Sequence, residues 1–291
     1  MTAESAAVST RRGFWRWASP SFKVGVCLLV LHLVIAVAGP FIAPFGATEI
    51  GTGIPLSGMS VVHPMGVDQI GRDVFSRVLS GAHVVILLSL AGTALGLMLG
   101  SFTGLLSAYV GGALDEFIQR AIEAFVAIPY IVLGLLAVYV AGPELAGWTP
   151  LMAIVIAIVY APRIARMARA AALDIVTRDF VVAAKLRGER ARTVVWRDLA
   201  PNAASTLLVE FALRTGYAPA LIAAFGFLGF GVQPPTPEWG LMIAENRNLL
   251  LVSPVTVLGP GLALASLVVA VNLTAEGLAR ILGQTTSRSL G

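Results

Sequence analysis

Six apolar stretches, each about twenty residues or longer, leave this chain few ways to fold. They run over residues 22–43, 84–109, 121–141, 150–170, 203–230 and 257–278. A helix of about 20 residues crosses the roughly 30 Å of hydrocarbon in a bilayer. Alternating ten-residue strands are missing, so a membrane β-barrel is excluded. A mean hydropathy of +0.85 and a charged fraction of only 12% lie outside the range of soluble domains. The expectation is an all-α integral membrane protein with six transmembrane helices.

The charges between the spans set an orientation. Basic residues gather before and at the very start of the first span (Arg11, Arg12, Arg16, Lys23), between the fourth and fifth, and after the sixth (Arg280, Arg288). The stretches after the first, third and fifth spans show no such excess. The positive-inside rule then places both termini in the cytoplasm. One short loop, Asp115-Glu116 near Arg120, has no positive excess, but acids count little in this rule. The organisation expected is a cytoplasmic tail 1–21, a membrane domain 22–280 and a cytoplasmic tail 281–291. Within the membrane domain, 45–82 and 231–253 are exterior loops and 171–202 is a cytoplasmic loop. Thr10-Arg11-Arg12-Gly13-Phe14 resembles a twin-arginine export signal, yet five further spans favour an uncleaved first helix.

The most polar segment, 163–201, carries nine bases against four acids. Within it, Asp179 to Ala184, then Gly188, then Ala200-Pro201 predicts a helix, a break and a proline stop. The small pair Ala183-Ala184 offers a smooth patch to a partner's groove, with Asp179, Lys185, Arg187 and Arg190 as rim charges. A solvated loop held at the headgroups is the alternative.

Other features admit two interpretations. Gly92, Gly96, Gly100 and Gly104 recur every four residues, so one helix face lacks side chains and another backbone can approach it. That face packs inside the chain or against a second subunit. Glu210 and Arg214, four apart, can pair on one helix face. They lie either in wet cytoplasmic turns or along a translocation path. The prolines of Gln233-Pro234-Pro235-Thr236-Pro237 force a rigid exterior turn, and Trp239 suits the headgroup interface.

Catalytic signatures are missing. The chain has no phosphate-binding Gly-x-x-x-x-Gly-Lys-Ser/Thr loop, no His-Glu-x-x-His pair and no cysteine cluster, since Cys27 stands alone. No enzyme site, bound cofactor or metal site is expected, and nothing marks a nucleic-acid interface despite a pI near 9.6.

Asp179-Phe180-Val181-Val182-Ala183-Ala184, with Gly188 and then Leu199-Ala200-Pro201-Asn202, resembles the EAA loop of ABC importer permeases. The stretch 63–77, with Asp68, Gly71, Arg72 and Asp73, resembles the exterior signature of the dipeptide, oligopeptide and nickel branch. So does 227–240, with Gln233, Pro234, Pro235 and Trp239. Together they resemble the "C" member of the branch's permease pair. Val182 stands where the family usually has Glu, and His83 where it usually has Arg.

The resemblance implies a type I importer permease fold in the bacterial cytoplasmic membrane. It implies a second homologous permease, cytoplasmic ABC ATPases that hold ATP and magnesium, and an extracytoplasmic substrate-binding protein. Asp179, Phe180, Ala183, Ala184, Arg187, Gly188 and Pro201 would form the ATPase-coupling loop. The cargo would be a dipeptide or oligopeptide, with nickel as a variant. A secondary transporter driven through Glu210 and Arg214, or a non-transporting scaffold, are competing classes, weakened by the lack of an internal repeat.

Overall fold

The computed structural model describes residues 19–145 and 147–288, and every described element is helical apart from one isolated bridge, Val67 to Asp73. Arg11, Arg12 and Arg16 lie outside the described residues.

Helix α1, Pro20–Ile42, starts where Ser19 accepts a hydrogen bond from the Phe22 N–H and Pro20 takes a first-turn position that needs no donor. Helix α2 runs Val74–Val110. It begins ahead of the expected span start at 84 because Asp73 caps it, accepting from the Ser76 N–H at 2.7 Å. The loop expected over 45–82 therefore closes at 73, where α2 begins. Its 37 residues make a rod of about 55 Å, longer than the hydrocarbon is thick.

The third apolar stretch is not one straight span. It divides into α3, Gly112–Ala127, and α4, Tyr130–Ala141, bent by 99°. Pro129 is the cause. The residue before a proline is driven out of the helical region, and Ile128 sits at φ −74°, ψ 128°. At 12 residues, α4 is about 18 Å long and too short to cross alone. Among the described residues, five helices are long and apolar enough to span a membrane, or six with the bent pair taken as one.

Helix α5, Pro150–Val176, is the main partner of α2. The glycine stripe makes that contact. Gly92 lies against Ile156, Gly96 against Ala157, Gly100 against Ala161 and Gly104 against Ala165. After α5 come α6, Asp179–Leu186, and α7, Ala191–Val194, then a π turn, Val195–Leu199, and a helical turn, Ala200–Asn202. Pro201 therefore does not stop the helical path. It falls in a first turn, where its missing N–H costs nothing.

Helix α8, Ala204–Phe227, and α10, Val255–Arg288, pack together, and α1 closes against α10 and α2. The loop expected over 231–253 contains a further helix, α9, Trp239–Asn246, lodged against α8 and α10. Its start is fixed by Glu238, which accepts from the Gly240 and Leu241 N–H groups at 2.8 Å.

Candidate functional site

Three places gather the residues singled out above. The first is the polar segment around α6. Val181 and Ala184 are fully buried in an apolar cluster with Leu105, Ala172, Val195 and Leu199. Ala184 is thus turned into the chain's own core, which corrects the expectation that both alanines form an outward patch. A helix of eight residues buries one stripe, and i and i+3 share it. The outward face is instead Asp179, Phe180, Val182, Ala183 and Leu186, with Leu186 84% exposed.

The end of α6 is firmly built. Gly188 takes φ +71°, the Glu189 N–H bonds to the Ala184 carbonyl and the Gly188 N–H to that of Lys185. This double bond pattern with glycine in the left-handed region is a Schellman cap. Glu189 then ties Arg187, at 2.7 Å, to Arg197. The hydrogen bond from Arg187 and the charge of Arg197 hold the Glu189 carboxyl below its ordinary value. Two of the expected rim charges are therefore held by the chain itself. Arg187 binds Glu189, and Lys185 donates to the Tyr109 carbonyl. Asp179 and Arg190 stay exposed. Trp196 stacks on Phe102 of α2, which fixes the π turn to the same helix bundle.

The second place is a cavity of about 430 Å³ between α4, α5 and α8. Arg214 borders it and binds Glu210, Nε to Oε1, at 2.7 Å. Glu210 is buried, not immersed in water at the start of α8. Glu210, Arg214, Tyr217 and Leu221 are spaced 4, 3 and 4 apart, which aligns them on one face of α8. Tyr130 of α4 and Tyr160 and Arg163 of α5 complete the polar wall. Arg163, counted above with the basic segment 163–201, instead borders this cavity, and its meeting with the three tyrosines depends on how three helices pack.

The third place lies at the N-terminal end of α2. Asp68 accepts from Arg72 at 2.6 Å and from Arg77 at 3.0 Å, and both arginines also reach Glu245 at 2.9 Å. Glu245 follows Asp68 by more than 170 residues, so no local pattern announces the pair. Gly71, at φ +84°, makes the turn that brings Arg72 back to Asp68. Asp73 takes a bond from His63 Nδ1 at 2.9 Å besides capping α2.

Trp239 is 1% exposed and donates from Nε1 to the Val78 carbonyl at 3.0 Å. It is a core residue here, not a headgroup anchor, because α9 folds back onto α2. Gln233 donates to the Gly229 and Gly231 carbonyls, while Pro234 and Pro235 are exposed. Among the described residues, no group of three or more His, Cys, Asp or Glu side chains is placed to hold a metal ion.

A bundle of long apolar helices, a firmly capped polar segment and a charged cavity between three helices describe a transport subunit. The chain belongs to the family described as binding-protein-dependent transport system inner membrane component, matched over residues 92–288. It is a multi-pass membrane protein of an ABC permease family.

Among curated relatives, it is 34% identical over 261 residues to the dipeptide transport system permease protein DppC of Haemophilus influenzae, covering 88% of this chain and 87% of that one. It is 33% identical over 270 residues to the glutathione transport system permease protein GsiD of Pectobacterium atrosepticum, covering 92% and 88%. Among solved structures, an inward-facing conformation of the MetNI methionine ABC transporter superposes with a TM-score of 0.56 at 18% identity. That match covers 71% of this chain and 96% of the other. It shows the type I permease fold.

Proposed function

We propose that the chain is a pore-forming permease subunit of an ATP-driven importer that carries dipeptides or oligopeptides across the bacterial cytoplasmic membrane. It works beside a second, homologous permease. ABC ATPases that hold ATP and magnesium bind on the cytoplasmic side, and a substrate-binding protein delivers peptide from outside. The chain itself is not an enzyme. Peptide is favoured as cargo because the relatives above are named for dipeptide and glutathione transport.

The observation that carries this reading is the two-sided construction of α6. Its inner face, through fully buried Val181 and Ala184, joins the apolar cluster that also holds the ends of α2, α5 and α8. Its outer face presents Phe180, Val182 and Leu186 to solvent. An exposed apolar face on a short helix, rimmed by Asp179 and Arg190, fits insertion into a groove of a partner. A push on that outer face is transmitted as a rigid displacement to three spanning helices, because packed interiors do not deform continuously. ATP-driven closure of the ATPases would then switch the spans between outward and inward access. Val182 makes this contact apolar at the position where the resembling family usually has Glu.

The charge pattern supports an arrangement with both termini and residues 171–202 in the cytoplasm. Leu186→Glu tests the docking. Leu186 is exposed, so the spans should fold and melt as before. Copurification of the ATPases should fall by about tenfold or more, the effect of removing an interface anchor. Retention of ATPases and of full uptake by that variant would overturn the docking role.

A further inference from the structure

The cavity between α4, α5 and α8 carries an unbalanced charge. Arg163 and Arg214 both border it, and the carboxylate that neutralises Arg214 is Glu210. Among the described residues Arg163 makes no ion pair, and its Nη1 donates to the Val159 carbonyl one turn back, at 3.2 Å. Arg163 is the fourteenth residue of the 27 in α5, and Arg214 the eleventh of the 24 in α8. Each therefore lies near the middle of its helix, Arg163 at the point where the apolar half of α5 gives way to its basic half. A half-buried guanidinium with no carboxylate partner is costly and marks a path or a ligand site.

We propose that this cavity recognises the C-terminal carboxylate of the peptide being carried, with Arg163 as the group that binds it. This rests on the importer reading above. The two guanidinium groups and one carboxylate leave a single positive charge, which matches one carboxylate on the cargo. The planar fork of an arginine binds a carboxylate through two parallel hydrogen bonds. Arg214 has a different task. Its Nε and Nη2 are engaged by Glu210, and its guanidinium lies 5.9 Å from the Tyr160 ring. It positions the wall, while Arg163 keeps donors for an incoming ligand. Tyr130 and Tyr217 are about half exposed and line the same cavity, where their rings can attract the peptide's ammonium end. The volume of about 430 Å³ lies in the range of small-molecule pockets.

The test uses the complete transporter, with both permeases, the ATPases and the binding protein, in proteoliposomes. ATP-dependent uptake is measured for dialanine and for its C-terminal amide. The binding protein contributes one fixed factor to the acid-to-amide ratio, so that factor cancels between permease variants. Arg163→Gln should lower the ratio about tenfold, the loss of a charge-assisted bond. Arg163→Lys, which keeps the charge and loses the fork, should give an intermediate ratio. An unchanged ratio, with both peptides slowed equally, would overturn the proposal. It would assign Arg163 to a lipid phosphate or to an acid of the second permease, and would leave the importer reading standing. An assembled, unmutated complex that takes up neither peptide would overturn the importer reading itself.

Should Arg163→Gln fail to assemble, the unmutated complex decides. A dipeptide with a diazirine in its C-terminal residue is added to the complex without binding protein. It should label the chain between 214 and 224 or near Arg163, and dialanine but not its amide should suppress the label. Labelling elsewhere, or equal suppression by the amide, overturns the proposal.

Discussion

Lys185 of α6 donates from Nζ to the main-chain carbonyl of Tyr109 at 3.0 Å, and its ammonium lies 4.6 Å from the centre of the Tyr109 ring. Tyr109 sits in the last turn of α2, where carbonyls lack partners within the helix and a cation is favoured. One side chain thus links the short polar helix to the end of the longest helix in the molecule. Lys185→Ala removes that link at a local cost of about 1–2 kcal/mol. Amide exchange over 179–186 should speed up about tenfold. Uptake per ATP hydrolysed should fall while the ATPases remain bound, since the outer face of α6 is untouched.

The glycine stripe makes a sharp contrast available. A Cβ on Gly104 would run into the Ala165 carbonyl oxygen, whereas one on Gly261 in α10 would meet nothing within 4 Å. Neither position has a left-handed backbone, so space alone separates them. Gly104→Ala must move α2 away from α5. It should cost about 1–3 kcal/mol or more, seen as a lower melting temperature in detergent. Gly261→Ala should be neutral or slightly stabilising, because alanine is the better helix former by about 1 kcal/mol.

Glu238 gives a pH dependence with a definite sign. Burial pushes its carboxyl up to about 7, against the lowering effect of bonds from the Gly240 and Leu241 N–H groups. The folded state therefore holds a proton that the unfolded chain, with an ordinary value of 4.5, releases earlier. Where the folded state binds more protons, stability falls as pH rises. This contribution is complete below about pH 4.5 and is lost on the way up to about 7, on the order of 3 kcal/mol in all. Glu238→Gln keeps an oxygen acceptor for the cap and cannot ionise. Melting temperature followed from pH 5 to 8 should decline less steeply in that variant than in the unmutated chain.

Much of the candidate site could be read locally, and the failures share a cause. The helix at Asp179 and the turn at Gly188 follow from short-range backbone rules. The pair Glu210 and Arg214 follows from helical spacing. The direction in which α6 faces does not, because an eight-residue helix with apolar residues at 180, 181, 182, 183, 184 and 186 has no single apolar stripe. Which alanine is buried depends on the neighbours it meets. Trp239 is buried for the same kind of reason. An indole beside a proline-rich turn suits a membrane interface in isolation, and only the fold-back of α9 gives its N–H the Val78 carbonyl.

Residue order alone establishes a helical membrane protein, since only helices and closed barrels satisfy their backbone in lipid and long unbroken apolar runs lack the alternation of a barrel. It also marks out the polar segment 163–201 and, through motif resemblance, the family. The tertiary structure decided the bend between α3 and α4, where Pro129 forbids a continuous helix but does not set the angle. It decided that the glycine stripe receives α5 of the same chain. It brought Asp68, Arg72, Arg77 and Glu245 together, and it placed Arg163 beside Arg214. Periodicity reports which face of a helix is apolar. It carries no information on which of several similar helices that face will meet, and the cavity charge arises from that choice of partners.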